Sequence, residues 1–249
     1  MIGSLVSSPG ILVLLSSAFW MLMIFDCVRN EPDRQTWIWI LLFLNVAGAL
    51  IYFFACWLPR SNVPVPNHFK RWTMRQSLWN AEAGVRNIGK AHQYVALGNV
   101  LTEIGDLEKA ITAFQQALDK EPKNIHALWG LAYIEMQHKQ FALAREHLAA
   151  LVKLEPDYKC GEGSLLYGKA LFELQDWESA KTHLEQDLKY WGHPEAAIML
   201  ASIQRQEGNT EKARDCLEGM LTKLRAAPIY HYRRHQQTLR KAEKMLRTL

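Results

Sequence analysis

The sequence predicts an all-α protein with a two-helix transmembrane hairpin, a helical solenoid of about four repeats and a C-terminal capping helix. Three observations support this fold class: two apolar runs near the N-terminus, a motif that recurs about every 34 residues, and little strand-like alternation. The expected boundaries are residues 1–58 for the membrane anchor, 59–90 for a linker and juxtamembrane helix, 91–228 for the repeats and 229–249 for the cap.

Composition and charge exclude several classes of protein. With 49 % hydrophobic residues, nine Trp and nine Phe, the chain can form a core and is not a disordered protein. The net charge of +4 is small, and basic and acidic residues alternate through the repeats, so no nucleic-acid partner is expected. The four cysteines form no C-x-x-C pair, which argues against zinc or a disulfide framework and fits a reducing compartment.

Two apolar runs precede the repeats. No charged residue occurs in residues 1–25, and a second charge-free run covers residues 37–58. The second run, as a straight helix, would span roughly 30 Å, the thickness of the bilayer hydrocarbon core. Trp37 and Trp57 near its ends fit the aromatic belts of a membrane helix. A buried core helix is the alternative for this run, and a cleaved signal peptide is the alternative for the first.

The distribution of positive charge predicts the orientation of this hairpin. The loop between the two runs has only Arg29 and Arg34, whereas residues 60–90 contain six Lys or Arg. Because positive flanks stay in the cytoplasm, both chain ends are expected there. The predicted location is therefore a membrane, the bacterial inner membrane being the expected one, with the repeats in the cytoplasm.

A proline-rich spacer and a basic, Trp-containing segment follow the second run. Residues 59–68 hold three prolines and are expected to be extended. In the segment that follows, basic and aromatic residues recur at helical spacing, which favours contact with lipid headgroups and anionic lipid. The predicted membrane-surface residues are Lys70, Arg71, Trp72, Arg75 and Trp79. The alternative is that the two tryptophans cover the first repeat by packing on it.

The repeat is clearest in its first copy. Gly98 and Ala110 are small, as required where two helices cross closely, and Phe114 fills the seam against the next copy. Pro122 ends the second helix, where its missing N–H costs least. The copies are expected at residues 91–124, 125–158, 161–194 and 194–227. The turns inside them are predicted at Gly105-Asp106, Lys139-Gln140, Gln175-Asp176 and Gly208-Asn209.

These landmarks resemble the tetratricopeptide repeat (TPR), a helix–turn–helix unit of about 34 residues. The resemblance implies that one face of each first helix lines a groove that binds a protein or peptide. The predicted groove residues are Asn99, Trp129, Tyr133, Met136, Lys169, Phe172 and Arg205. Their composition suits a partner with hydrophobic anchors and some negative charge. The alternative for Trp129 and Phe172 is that they belong to the core seam.

The apolar hairpin is similar to the N-terminal membrane segment of the phospholipase D and cardiolipin synthase family. The similarity covers about residues 11–58 and rests on FW-x-LMIFD, the loop, and the second run with Asn45, Gly48 and Pro59. Catalysis in that family needs H-x-K-x-x-x-x-D, which His68 and Lys70 begin, but Arg75 occupies the position of the acid. The resemblance therefore implies an anchor without the chemistry.

The sequence as a whole favours a non-enzymatic, membrane-anchored scaffold with no cofactor and no metal. His231 and His235 have a spacing that can bind metal, but two arginines lie between them and would repel a cation. One alternative is a subunit or regulator of an enzyme of membrane lipid or envelope metabolism, without a catalytic site of its own. Self-association through the basic last helix is a further possibility. Its Leu239, Ala242, Met245 and Leu246 form one apolar stripe, as a solenoid cap requires.

Overall fold

The structure, a computed structural model, describes residues 9–31, 34–57, 73–227 and 235–249. Within these residues it contains twelve α-helices and one π-helical turn, and no strand. The chain divides into two compact units, an N-terminal unit, Met1–Pro66, and a C-terminal unit, Asn67–Leu249. The all-α fold class is confirmed.

The N-terminal unit consists of two apolar helices. Helix α1 is Pro9–Asn30, and helix α2 is Arg34–Tyr52, continued by the π-helical turn Phe53–Trp57. By length and composition, Val13–Asn30 and Gln35–Trp57 are candidate membrane spans. Large apolar side chains of both helices are exposed in the protein itself, as expected for surfaces that face lipid.

Helix α2 is not the straight span that the sequence predicted. Asn45 has a positive φ of 48°, and the chain reverses its direction there. The rings of Trp37 and Tyr52 consequently lie 5.5 Å apart, although a straight helix would separate these residues by about 22 Å. Asn is one of the few residues other than Gly that tolerate a positive φ, so a local residue choice permits the reversal.

The C-terminal unit begins with helix α3, Arg75–Asn87. Four helix pairs and a final helix follow: α4 (Ala91–Ile104) and α5 (Leu107–Lys120), α6 (Ile125–Gln137) and α7 (Phe141–Leu154), α8 (Glu162–Glu173) and α9 (Trp177–Tyr190), α10 (Pro194–Gln206) and α11 (Thr210–Ala226), and α12 (Gln236–Leu246). Each helix packs against its neighbours in sequence, and the first helices of adjacent pairs also touch, α4 with α6 and α8 with α10. This is the two-layer arrangement of a solenoid.

The turns inside the pairs lie where the sequence predicted them. Each contains one residue with a positive φ: Gly105, Lys139, Gln175 and Gly208. At the first turn, the Gly105 N–H donates to the carbonyl of Leu101, so the left-handed residue caps the helix that ends there. The second helix of each pair then begins after one or two residues.

A close contact around Phe114 joins the first two pairs. The ring of Phe114 on α5 is buried and lies against Gly98 on α4 and Gly130 on α6. A Cβ at Gly98 would be 2.6 Å from the ring, a distance that the packing could not accommodate without a shift. Small residues on both first helices are therefore a steric requirement of this aromatic seam.

Helix α12 covers the end of the solenoid. Leu239 and Ala242 are buried against α10 and α11, and Met245 and Leu246 pack beside them. The predicted apolar stripe and its role as a cap are thereby confirmed. Its exposed side carries basic residues such as Arg240 and Lys244, which keep the outer face polar.

Helix α3 covers the other end by packing on α4. Leu78 makes this contact with the first core cluster, whereas the side chain of Trp79 is 63 % exposed. Trp79 is therefore largely exposed, and Leu78 rather than Trp79 is the residue of α3 that packs against the core cluster. The predicted membrane-surface residues Lys70, Arg71 and Trp72 lie outside the described residues.

Candidate functional site

The C-terminal unit has a pocket of about 460 Å³ on the layer formed by the first helices of the pairs. Helices α6, α8 and α10 line it, and α12 closes one side. The lining residues are Trp129, Tyr133, Glu162, Leu165, Leu166, Lys169, Phe172, Glu173, Glu195, Ile198, Met199, Thr238 and Lys241. The pocket therefore draws on three successive helix pairs and the cap.

Three aromatic side chains supply much of the apolar wall of this pocket. Trp129 and Tyr133 lie one turn apart on α6, with stacked rings whose centroids are 6.2 Å apart. Tyr133 is 43 % exposed, so its face is available to a ligand. Phe172 is half-buried, because it also packs against the core and meets Trp177 edge-on at 5.4 Å. Phe172 thus lines the pocket and also packs against the core, so both positions considered from the sequence apply to it.

The position of Trp129 is set by the loop before α8. Tyr158 lies 5.5 Å from the Trp129 ring, and the Lys159 ammonium is 4.5 Å from its centroid. Lys159 and Cys160 both have a positive φ and lie in the loop between α7 and α8, where the sequence predicted two residues between repeats. This loop therefore supplies a cation–π contact to the largest side chain of the pocket.

Charges of both signs line the pocket. The carboxylates are Glu162, Glu173 and Glu195, and the ammonium groups are Lys169 and Lys241. Acidic side chains outnumber basic ones, whereas the sequence led us to expect a partner with some negative charge. A ligand with an apolar anchor and a basic group fits this lining better than a purely anionic one.

The structure brings together four of the seven predicted groove residues: Trp129, Tyr133, Lys169 and Phe172. The other three do not line the pocket. Asn99 is exposed on α4, Met136 packs against the core near Ala132, and the Arg205 guanidinium lies 3.5 Å from the Thr248 hydroxyl.

The predicted groove residues left out several pocket residues of the last repeat and all those of the cap. Glu195 and Met199 on α10 and Thr238 and Lys241 on α12 line the pocket beside residues about 70 to 110 positions earlier. The repeat register could have indicated the α10 positions, since they face the same layer as Lys169. No local signal identifies Thr238 or Lys241, because the cap lies outside the repeat pattern.

A buried polar network lies behind the pocket, where α8, α9 and α10 meet. The Asp187 carboxylate is fully buried and accepts hydrogen bonds from the Ser164 hydroxyl at 2.9 Å and from His193 Nδ1 at 2.8 Å. His183 Nε2 lies 2.9 Å from the carbonyl of Ser164. The hydrogen bond to Asp187 raises the pKa of His193, and nearby Glu195 adds to this effect. The network thus joins three helices around one carboxylate.

The described residues contain no cluster of three or more metal-ligating side chains. His235 Nδ1 lies 3.5 Å from Glu195, while the other histidine of the predicted pair, His231, lies outside the described residues. His68 and Lys70 also lie outside them, and Arg75 is the first residue of α3.

Comparison with protein-family models defines the class. Two models of the tetratricopeptide repeat match residues 101–159 and 165–228, which are helix pairs of the C-terminal unit. A model described as the phospholipase D-nuclease N-terminal segment matches residues 18–55, within the N-terminal unit. The chain thus carries tetratricopeptide repeats behind a phospholipase D-type N-terminal segment, as the sequence predicted.

Solved structures share the fold of the repeats. A double mutant of MamA RS-1 has a TM-score of 0.56 and 17 % identity, covering 64 % of this chain and 92 % of that chain. MamA AMB-1 has a TM-score of 0.53 and 15 % identity over 66 % of this chain and 96 % of its own. A MamA fragment from Desulfovibrio magneticus RS-1 has a TM-score of 0.52, 17 % identity and coverages of 65 % and 96 %. A search of curated proteins found no match.

These findings support a protein-interaction scaffold as the general role of the C-terminal unit. Tetratricopeptide repeats bury their landmark residues between helices and leave a helical face for partner proteins. The two apolar helices and the matching N-terminal segment indicate membrane association.

Proposed function

We propose that this protein is a membrane-anchored scaffold whose repeat unit recruits a protein through the pocket around Trp129 and Tyr133. The apolar N-terminal unit holds the repeats at a membrane, and the repeats lie in the cytoplasm, as the positive charge of residues 60–90 favours. The observation that carries the proposal is one pocket built by α6, α8, α10 and α12, in which two stacked aromatic side chains are accessible.

The chemistry of the pocket suggests the kind of segment that binds there. Exposed aromatic faces next to Phe172 favour an apolar anchor, and interface energies usually concentrate on such aromatic groups. Glu162, Glu173 and Glu195 favour a basic residue beside the anchor, while Lys169 accepts an acidic one. An amphipathic helix or a short peptide of a partner protein fits this description.

The proposal is tested by affinity capture from detergent-solubilised membranes with the full chain as bait. Capture by the wild type is compared with Tyr133→Ala and with Trp129→Ala/Tyr133→Ala. Since truncating an anchoring aromatic residue costs about 2 kcal/mol or more, the double variant is expected to bind its partner at least tenfold more weakly. Circular dichroism checks that the helices remain.

Tyr190→Ala is the matched control. Tyr190 is 73 % exposed at the end of α9 and does not line the pocket, so its truncation removes a similar surface elsewhere. Equal capture by all of these proteins would exclude the pocket as the recruitment site. Equal loss with Tyr190→Ala would mean that general surface hydrophobicity causes the capture.

The match of the N-terminal segment favours a second candidate. Residues 18–55 match a family model named for phospholipase D nucleases. The second proposal is therefore that the protein is a non-catalytic subunit or regulator of a membrane lipid or envelope enzyme. The same capture experiment separates the two, since a lipid-metabolising enzyme among the specifically lost partners would support the second candidate.

A further inference from the structure

We propose that the second apolar segment enters the membrane as a re-entrant helical hairpin, so that α1 alone crosses the bilayer. This inference rests on membrane insertion of the N-terminal unit and not on the pocket, so the two can fail separately. It replaces the two crossings that the sequence predicted with one crossing and one partial insertion. Its partner is the lipid bilayer itself.

The lengths of the helices support this topology. Helix α1 has 22 residues and is about 33 Å long, which suffices for the roughly 30 Å hydrocarbon core. The break at Asn45 divides the second segment into residues 34–44 and 46–57. Each half is only about 16 to 18 Å long, so neither can cross the core.

Contacts along the two halves show that they lie antiparallel. Gly48 packs so closely on the first half that a Cβ there would be 2.5 Å from the Ile40 carbonyl oxygen. Further from the break, Trp37 meets Tyr52 edge-on at 5.5 Å. Both contacts pair a residue before the break with one after it at a similar distance, so residues 34 and 57 lie at the same end of the hairpin.

Helix α1 fixes which side that is. The Tyr52 hydroxyl donates to the Asp26 carboxylate at 2.8 Å, near the end of α1 that leads into the loop. The Trp20 indole N–H, further along α1, donates at 2.8 Å to the carbonyl of Leu41, close to the break. The rings of Phe19 and Phe53, 5.7 Å apart, also hold the second half against the middle of α1. Taken together, these contacts place the open ends of the second segment nearer the loop end of α1 than the break is.

The Trp20 contact also lowers the energetic cost of a broken helix in lipid. A helix that stops inside the hydrocarbon leaves its last carbonyls without intrahelical partners, and each unsatisfied group costs several kcal/mol there. The indole N–H supplies a donor to one of these carbonyls, that of Leu41. Apart from Asn45 itself, which is exposed, the exposed residues around the break are apolar, with Phe43 81 % exposed, as expected for contact with acyl chains.

The charge distribution agrees better with one crossing than with two. With two crossings, Arg29 and Arg34 would lie opposite the six basic residues of residues 60–90. With the re-entrant hairpin, all of these charges share one side, and residues 1–28, which contain no Lys or Arg, lead to the other. Positive flanks on a single side are what orients a membrane segment, so the N-terminus lies across the membrane from the repeats.

Cysteine labelling in the full chain tests the topology. Ser4→Cys, Asp33→Cys and Ser61→Cys are introduced one at a time, with the native Cys27, Cys56, Cys160 and Cys216 replaced by alanine. Each is treated with a membrane-impermeant maleimide, in intact cells and in inside-out vesicles. Labelling after detergent lysis verifies that every introduced thiol can react.

The expected result is that positions 33 and 61 label from one side and position 4 from the other. Two straight spans would instead place positions 4 and 61 together, with position 33 opposite. Labelling of all three from a single side would mean that no helix crosses. Either of these patterns, or labelling of every position from both sides, would overturn the proposal.

A short bismaleimide linker tests the reversal directly. In the background without native cysteines, Trp37→Cys/Tyr52→Cys is expected to bind one bridging linker within a monomer, detected by intact mass, whereas a straight helix would bind two separate linkers. Gly48→Ala is expected to abolish the bridge, because the added Cβ meets backbone. Gly10→Ala on α1 has nothing within 4 Å and serves as the matched control. Two unbridged linkers in the original pair would overturn the proposal.

Discussion

At the scale of single residues, glycines shape the packing of this protein as much as large side chains do. Phe114 fills the space between the first two repeats because Gly98 and Gly130 leave room for its ring on both sides. Packing in protein interiors is dense, so an added methyl group at such a place must displace something. The landmark glycine of the repeat is therefore a steric complement to the aromatic residue 16 positions later.

Gly98→Ala is predicted to destabilise the C-terminal unit by about 1 to 3 kcal/mol, the usual cost of overpacking a core. Its Cβ would be 2.6 Å from the Phe114 ring, which is wedged against Gly130 and cannot move away freely. Urea denaturation followed by circular dichroism measures the change.

Gly219→Ala, in α11, is the control for Gly98→Ala. Nothing lies within 4 Å of the Cβ that it adds, so the higher helix propensity of Ala should stabilise the protein by up to about 1 kcal/mol. If both variants shift stability in the same direction, the steric account of Gly98 is incorrect.

At the scale of elements, the junction of α8, α9 and α10 depends on one buried carboxylate. Asp187 on α9 accepts from Ser164 on α8 and from His193, the residue that precedes α10. Burying a charge is costly unless it is paired and hydrogen-bonded, and these two donors meet that requirement. The junction supports the pocket, whose wall includes residues of α8 and α10.

The stability of the C-terminal unit is predicted to fall as pH rises above about 6.5, the unperturbed pKa of histidine. The hydrogen bond to Asp187 raises the pKa of folded His193, so its stabilisation is complete below 6.5 and is lost as pH rises through the raised value. Thermal denaturation between pH 6 and 9 should show this decline in stability, and the decline should be smaller in His193→Gln. His138→Gln, at an exposed position, is the control. Identical pH profiles for wild type and His193→Gln would contradict the assignment.

At the scale of the whole molecule, the chain combines an apolar unit that indicates membrane association with a repeat unit of the kind that binds proteins. Helix α3 is the first described element of the C-terminal unit after the apolar segment. Its Arg75 and the exposed Trp79 belong to the surface that the sequence predicted to contact lipid headgroups. A basic and aromatic surface of this kind would add an interfacial contact to the insertion of the N-terminal unit.

A fragment of residues 67–249, the compact C-terminal unit, is predicted to co-sediment with vesicles that contain an anionic lipid and less with neutral vesicles. Each basic residue near an anionic surface contributes about 1 kcal/mol, so Arg75→Glu/Trp79→Ala should weaken this binding at least severalfold. Arg240→Glu/Tyr190→Ala, which changes one exposed basic and one exposed aromatic residue elsewhere, controls for charge and hydrophobicity. Equal binding by both variants would show that α3 does not contribute to membrane binding.

Much of the fold was predictable because its signals are local. The turns at Gly105 and Gly208 were visible as glycines between helical patterns, and both adopt the positive φ that glycine permits. Trp129, Tyr133, Lys169 and Phe172 were predictable because the same position in each repeat faces the same layer. Lys241 was not, since a capping helix has no repeat register from which its orientation could be inferred.

The sequence by itself determined the all-α fold class, the order of the repeats and the apolar character of the N-terminal unit. It could do so because helix periodicity, turn residues and hydrophobic runs act over a few residues each. Only the tertiary structure decided which helices share the pocket, where Asp187 finds its donors, and that the second apolar segment reverses at Asn45. Those outcomes depend on contacts between residues distant in sequence or across a break, and their geometry follows from packing in three dimensions rather than from local pattern.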